Sequence, residues 1–264
     1  MNFSGQLHKM RTSLETPIQY SLEMGQSILM NDFIGKEITL SWEGEIRCIV
    51  CDKKTKSSFN QGFCYTCFMS APESAECILR PELCKAHLGE GRNVQWEQDH
   101  HNQPHVVYLA ASDAIKVGVT RNTQIPTRWI DQGANAAIVV AELPNRYLAG
   151  VLEVELKATF TDKTNWQRML KNEVDSSIDL VEAKWSLEEI LPADLLAYFS
   201  EDDSLYNFDY PVLEYPEKVK SLSFDKEAKI TGKLMGIKGQ YLIFEGGNVI
   251  NLRKFTGYMI NLEV

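Results

Sequence analysis

RCIVCDKKTKSSFNQGFCYTC, residues 47–67, places Cys48, Cys51, Cys64 and Cys67 in two C-x-x-C steps separated by residues 52–63. Each step turns the backbone so that two sulfurs converge, and two such pairs supply the four soft donors that a tetrahedral zinc ion takes. The reading is a structural zinc in a zinc-ribbon-like knuckle. Two competing readings of these cysteines are weaker. Disulfides persist in oxidising compartments, whereas the first stretch, MNFSGQLHKMRTSLETP, has no apolar core of a signal peptide. A redox C-x-x-C comes singly beside a βαβ pattern, not as a matched pair. No apolar run approaches the roughly 20 residues needed to span a bilayer. A cytoplasmic protein with a structural metal and no membrane contact is the economical expectation.

A chain of 264 residues exceeds the commonest domain size and has room for two or three units. It is long enough to bury a core without metal, so the zinc serves one local module. Outward from the knuckle, the expected architecture is α+β and multi-module. Residues 1–47 read as a β segment and 48–105 as the metal-binding region. Residues 106–172 read as β-β-α-β-α, 173–217 as an acidic, partly helical segment, and 218–264 as a C-terminal β segment. TLSWEGEIR, residues 39–47, is rich in strand formers and holds a Glu43-Gly44 turn. Ser186 and Glu189 have capping-box spacing. Gly246-Gly247 reads as a hairpin turn. FSGQL near the start and ITGKL near Gly232 share a local pattern, and the two ends are expected to pair or pack into one β-unit around the central modules.

The net charge of −9 argues against a broad non-specific nucleic-acid binder. The charge is uneven. From Glu173 to Glu217 the only basic residue is Lys184, whereas the knuckle carries Arg47, Lys53, Lys54 and Lys56 against Asp52. The acidic stretch is either a solvated face or a contact surface for a protein partner. Phe59, Phe63, Tyr65 and Phe68 interleave with the knuckle's basic residues. They either pack around a small zinc-held core or stack on single-stranded bases.

A second metal site is expected downstream. Cys84 and His87 form a C-x-x-H step, Cys77 precedes them, and His100, His101 and His105 follow. Cys77, Cys84, His87 and His101 make a tetrahedral set from these residues. The competing reading makes Cys77 and Cys84 small buried residues, as free cysteines often are.

HVVYLAASDAIKVGVT, residues 105–120, reads as a hairpin, with Val106–Leu109 as one strand, Ser112-Asp113 as the turn and Ile115–Val119 as the return. Gly118 inside a strand suggests close approach of a ligand or another backbone. A short helix opens near Thr123 with Pro126 in its first turn and closes at Gly133. AAIVVAEL, residues 136–143, is an apolar strand. Pro144-Asn145 then starts a helix with Leu148, Leu152, Leu156 and Phe160 at helical spacing. Glu153 and Glu155 flank that apolar stripe, and periodicity does not choose between them.

Tyr108, Lys116-Val117-Gly118, Arg128 and Glu153, in that order on those elements, resemble the GIY-YIG nuclease pattern, in the branch with a KIG-T sequence in place of YIG. The resemblance selects Glu153 and implies a metal-dependent phosphodiester hydrolysis of DNA or RNA. Tyr108 would activate water, Arg128 would bind the phosphate, and Glu153 would hold Mg or Mn. Lys116 stands where the family has its second tyrosine. The cysteine region followed by VYLA, KVGVTR and RWIDQGA also resembles a bacterial family catalogued as a domain of unknown function. In that comparison Lys85 and Gly91 stand where further cysteine or histidine donors are expected. The alternative to catalysis is a zinc-stabilised nucleic-acid-binding or protein-interaction adaptor.

Overall fold

A computed structural model describes residues 1–160 and 165–264. It shows a mixed α and β chain with three sheets among those residues. Residues 1–69, 130–133 and 208–264 form one compact unit, and residues 70–129 and 134–207 form another. The cysteines therefore divide: Cys48, Cys51, Cys64 and Cys67 belong to the first unit, Cys77 and Cys84 to the second.

The first unit is built on the long strand Glu37–Arg47. One edge pairs antiparallel with Tyr258–Glu263, the other with Lys229–Lys233. Asn2–Gln6 adds to Tyr258–Glu263, with Asn2 opposite Glu263. The two chain ends thus join one sheet, as the shared local pattern suggested. Ile38, Leu40, Ile230, Ile260 and Leu262 of these strands are buried, and full burial of such a side chain is worth roughly 1.5–3 kcal/mol. A smaller antiparallel sheet, Arg11–Ser13, Gln19–Glu23 and Ser27–Leu29, belongs to the same unit. Asp131 accepts a hydrogen bond from the buried Gln240 amide (2.8 Å), whose carbonyl accepts from the Met10 amide (3.0 Å).

Glu43-Gly44 is not a turn. The strand runs through it, and Gly44 takes φ +79°. Ile260 lies opposite Trp42 while Tyr258 lies opposite Ile46, so the extra residues form a bulge. Glycine supplies the left-handed backbone such a bulge needs. Gly246-Gly247 does turn the chain, between Tyr241–Phe244 and Asn248–Asn251, which pair antiparallel.

The second unit carries a four-stranded sheet ordered Tyr206–Asn207, Ala136–Leu143, His105–Ala111, Ile115–Arg121. The element order from His105 is strand, strand, helix Thr127–Asp131, strand, helix Arg146–Leu156. The first of these helices starts after Pro126, and Asn122–Gln124 is a separate 3-10 turn. The second is capped by Asn145, whose side chain accepts from the Leu148 amide at 3.0 Å. Leu152 and Leu156 of that helix are buried against Val107, Leu109, Val117 and Val119.

In the acidic stretch the cap is Asp179, which accepts from the Val181 and Glu182 amides and starts helix Leu180–Trp185. Ser186 ends this helix instead of starting another. Its hydroxyl donates back to the Ala183 carbonyl at 2.7 Å, which occupies the group a capping box would need. Leu180, Leu187, Leu191 and Leu195 turn inward, while Glu182, Glu188, Glu189 and Asp194 are exposed.

Candidate metal centres and the hairpin module

Cys48 follows directly on strand Glu37–Arg47, and its carbonyl accepts from the Asp52 amide at 2.9 Å, closing the first knuckle. The second knuckle begins with a two-residue bridge in which Phe59 and Phe63 exchange both backbone hydrogen bonds at 2.9 Å. Cys64 then leads into helix Tyr65–Ser70, which carries Cys67. The turn between the bridge residues uses Asn60 and Gln61 at positive φ. The four sulfurs lie within 4.8 Å of one another. Cys51 Sγ and Cys64 Sγ are 3.8 Å apart, which matches the edge of about 3.8 Å of a tetrahedron with zinc–sulfur bonds of about 2.3 Å. None of the four is in a disulfide.

Burial pushes the Cys48 thiol up, but hydrogen bonds from the backbone amides of Cys64, Cys51 and Val50 outweigh it and bring it down to about 6. The same donors that turn the chain therefore favour the thiolate, the form that ligates metal. Burial, with its neighbours Cys64, Cys51 and Cys48, raises Cys67 to about 12. This four-cysteine group could hold a structural zinc.

A second group gathers Cys77, Cys84 and His101, all buried and all within 4.8 Å of one another. His101 Nδ1 lies 3.6 Å from Cys84 Sγ and 3.9 Å from Cys77 Sγ. His87, counted as a donor in the sequence reading, is not in this group: its ring stacks on Tyr147 at 4.6 Å. His100 stacks on Trp96 at 4.0 Å, and His105 Nδ1 lies 2.7 Å from the Gln103 carbonyl. Lys85 is ion-paired with Glu90 at 3.3 Å. At Gly91 a Cβ would stand 2.0 Å from Glu97 Oε2, so the Glu97 carboxylate fills the space a side chain would take. Glu97 and Arg146 were not singled out from the sequence. Glu97 sits one helical turn before His101, a spacing that was legible. Arg146 donates to the carbonyls of Cys77 and Ile78, both at 2.9 Å, and no local pattern announces that.

The four hairpin-module residues come from four elements, strands His105–Ala111 and Ile115–Arg121 and helices Thr127–Asp131 and Arg146–Leu156. Tyr108 pairs with Gly118 and Ala110 with Lys116, so Tyr108 and Lys116 share a sheet face. Val107, Leu109, Val117 and Val119 point to the opposite face, where helix Arg146–Leu156 packs. Glu153 is on that helix. Tyr108 is buried edge-on against Trp129 at 5.6 Å. Burial lowers Lys116 to about 8, with Asp113 acting in the other direction. Arg128, half-buried, lies near enough to Arg146 to help burial lower the Arg146 pKa. Glu153 is buried whereas Glu155 is exposed. Burial raises the Glu153 pKa, and Lys157 and Arg146 oppose that shift. Lys157 Nζ stands 3.3 Å from Glu153 Oε2, within ion-pairing range but off hydrogen-bond geometry.

No helix among the described residues is long and apolar enough to cross a membrane. Comparison with curated proteins and with solved structures finds no match. A family model described as "Protein of unknown function (DUF2797)" matches residues 35–260, which is most of the chain and includes both cysteine groups and the hairpin module, and the chain belongs to that family.

Proposed function

We infer that this chain is a zinc-organised binding protein whose knuckle takes single-stranded nucleic acid. The observation that carries this is a ring cluster at the four-cysteine group. Phe59 lies 5.6 Å from Tyr65 and 5.9 Å from Phe68, and Tyr65 is 61% exposed. Lys53, Lys54 and Lys56 are exposed on the same knuckle. Phe63, by contrast, is buried and serves the knuckle's own packing. Stacking of a base on such a ring is worth roughly 1–3 kcal/mol, and it tolerates any base. Three lysines, one of them (Lys54) ion-paired with Glu45, can meet only a few phosphates, so affinity should fall with salt on a shallow slope. The test is anisotropy of labelled single-stranded DNA and RNA oligonucleotides with the wild type and Tyr65→Ala. Absence of binding at low salt, or equal binding by the variant, removes this reading and moves attention to the acidic 173–217 surface as a protein contact.

A second reading, metal-dependent phosphodiester hydrolysis, draws on the strand, strand, helix, strand, helix order and on Glu153, a buried carboxylate beside Arg146 and Lys157. Under it Glu153 holds Mg or Mn, Arg128 the phosphate and Tyr108 the attacking water, with Lys116 supplying charge. It stands second because the water-activating group and the metal must reach one phosphorus atom, while Tyr108 is on the sheet face opposite the one on which the helix carrying Glu153 packs. Cleavage of single-stranded, duplex or branched substrates with Mg or Mn would support it. Activity that survives Glu153→Ala would remove Glu153 from the role.

A further inference from the structure

We propose that Cys77, Cys84 and His101 form a second zinc centre, separate from the four-cysteine group, which fastens the turn-rich segment 72–88 to helix Val94–His101. The donor set and its spacing suit the ion. Two thiolates and an imidazole are a soft-to-borderline set that selects zinc over oxygen-seeking cations. A tetrahedral ion with zinc–sulfur and zinc–nitrogen bonds of about 2.3 and 2.05 Å separates sulfur from nitrogen by about 3.6 Å. His101 Nδ1 stands 3.6 Å from one sulfur and 3.9 Å from the other. The three donors come from three different local elements, the single turns Glu76–Ile78 and Pro81–Leu83 (which Cys84 closes) and the end of the helix.

The segment buries little apolar surface of its own. Residues 72–88 are four single-turn 3-10 helices, Pro72–Ser74, Glu76–Ile78, Pro81–Leu83 and Ala86–Leu88. Their leucines face outward, with Leu79 77% and Leu88 63% exposed. The buried cluster of this segment consists of Cys77, Cys84 and Ala86, with Ala75 and Tyr147 against it. So small a core contributes little to ordering the seventeen residues 72–88, and short modules of this kind draw folding free energy from metal ligation. The centre stands whether or not the knuckle binds a strand.

The consequences reach the neighbouring helix. Arg146 donates to the carbonyls of Cys77 and Ile78, and the backbone of Pro81 and Glu82 lies against Gly150. Ligation at Cys77 and Cys84 therefore also sets the surface on which helix Arg146–Leu156 rests.

The experiment is metal analysis of the full chain purified with zinc, coupled to limited proteolysis. Two zinc ions per chain are expected in the wild type and one in each of Cys84→Ser and Cys64→Ser. Cleavage should appear within 72–101 only in Cys84→Ser and within 47–67 only in Cys64→Ser. A second variant, His101→Cys, keeps a ligand at the same point. It should retain two metals, and its cobalt-substituted form should gain thiolate-to-metal absorption. One zinc in the wild type, lost by Cys64→Ser and not by Cys84→Ser, overturns the proposal. So does a His101→Cys protein whose cobalt spectrum equals the wild-type spectrum, a readout available even where Cys84→Ser does not fold.

Discussion

The phenol of Tyr108 lies directly over Gly118, so that a Cβ at residue 118 would stand 2.6 Å from the Tyr108 oxygen and 2.8 Å from Cζ. The two residues are cross-strand partners. The close approach that a glycine inside this strand implied is made by a neighbouring side chain of the same sheet.

Gly118→Ala should accordingly destabilise the second unit by roughly 1–3 kcal/mol, the cost of overpacking a closed core. The ring cannot swing away freely, because it is buried and packed on Trp129. Urea unfolding of Gly118→Ala, Tyr108→Leu and the double variant should give strong coupling, with the alanine far less costly once the ring is gone.

Gly150 meets backbone instead of a side chain. A Cβ there would lie 2.2 Å from the Glu82 amide nitrogen and 2.3 Å from the Pro81 carbonyl carbon. Backbone has no rotamer to yield, so Gly150→Ala should cost more than Gly118→Ala, on the order of 3 kcal/mol or above. Thermal melts of the two variants side by side give the ranking.

Lys116 gives a signed pH dependence. Its pKa falls from 10.5 to about 8 on folding, through burial against a smaller opposing effect of Asp113. Between those values the unfolded chain holds a proton that the folded chain has released, so stability rises with pH across that window. Below it both states are protonated and the burial cost is felt in full. Lys116→Met should therefore be more stable than the wild type at neutral pH by roughly 2–3 kcal/mol. That advantage should shrink as pH climbs from about 8 to 10.5. Denaturant midpoints of both proteins along a pH series test it.

Lys184, the lone cation of the acidic stretch, is fully buried. Its ammonium donates to the Asp202 carbonyl at 2.7 Å and to Asp203 Oδ1 at 2.9 Å, and it faces the rings of Trp185 and Phe199 at 5.5 Å. Lys184→Ala should cost about 2 kcal/mol from the lost charge-assisted hydrogen bonds. It should also raise hydrogen exchange over 180–207. Asp203→Asn should do less, because the Asp202 carbonyl still accepts from the ammonium and the asparagine keeps an acceptor oxygen.

At the four-cysteine group, Cys64→Ser should lose the ion and leave the knuckle open to trypsin at Lys53, Lys54 and Lys56, which are already exposed. The main sheet of the first unit, with its own buried strands, should keep its melting transition. Acid should release zinc from the wild type, since each ligand must be a thiolate to bind. A zinc-indicator titration downward from neutral pH, with circular dichroism in parallel, separates metal loss from unfolding.

Much of the local structure was legible because it depends on residues close in sequence. The two C-x-x-C steps, the Gly246-Gly247 turn, the 105–121 hairpin and the Asn145-capped helix are each set by turn geometry, side-chain periodicity or a cap within a few positions. Where two local solutions competed, sequence spacing misled. Glu43-Gly44 has the composition of a turn, yet strand Tyr258–Glu263 pairs with Trp42 before it and with Ile46 after it, which reduces it to a bulge. Ser186 has capping-box spacing, yet Asp179 had already started the helix and the serine falls at its end.

By itself, then, the sequence determined the four-cysteine knuckle, because four donors paired at short range bring their own backbone geometry. Only the tertiary structure decided which histidine joins Cys77 and Cys84, since His101 comes to them through the packing of a helix on irregular turns while His87, next to Cys84 in sequence, turns to Tyr147. Only the tertiary structure buried Glu153 and left Glu155 exposed, and it put Tyr108 on the sheet face opposite the one that helix Arg146–Leu156 covers. The physical reason is the same in each case: spacing along the chain sets the direction of a side chain relative to its own element, and the burial of apolar surface between elements sets what that side chain meets.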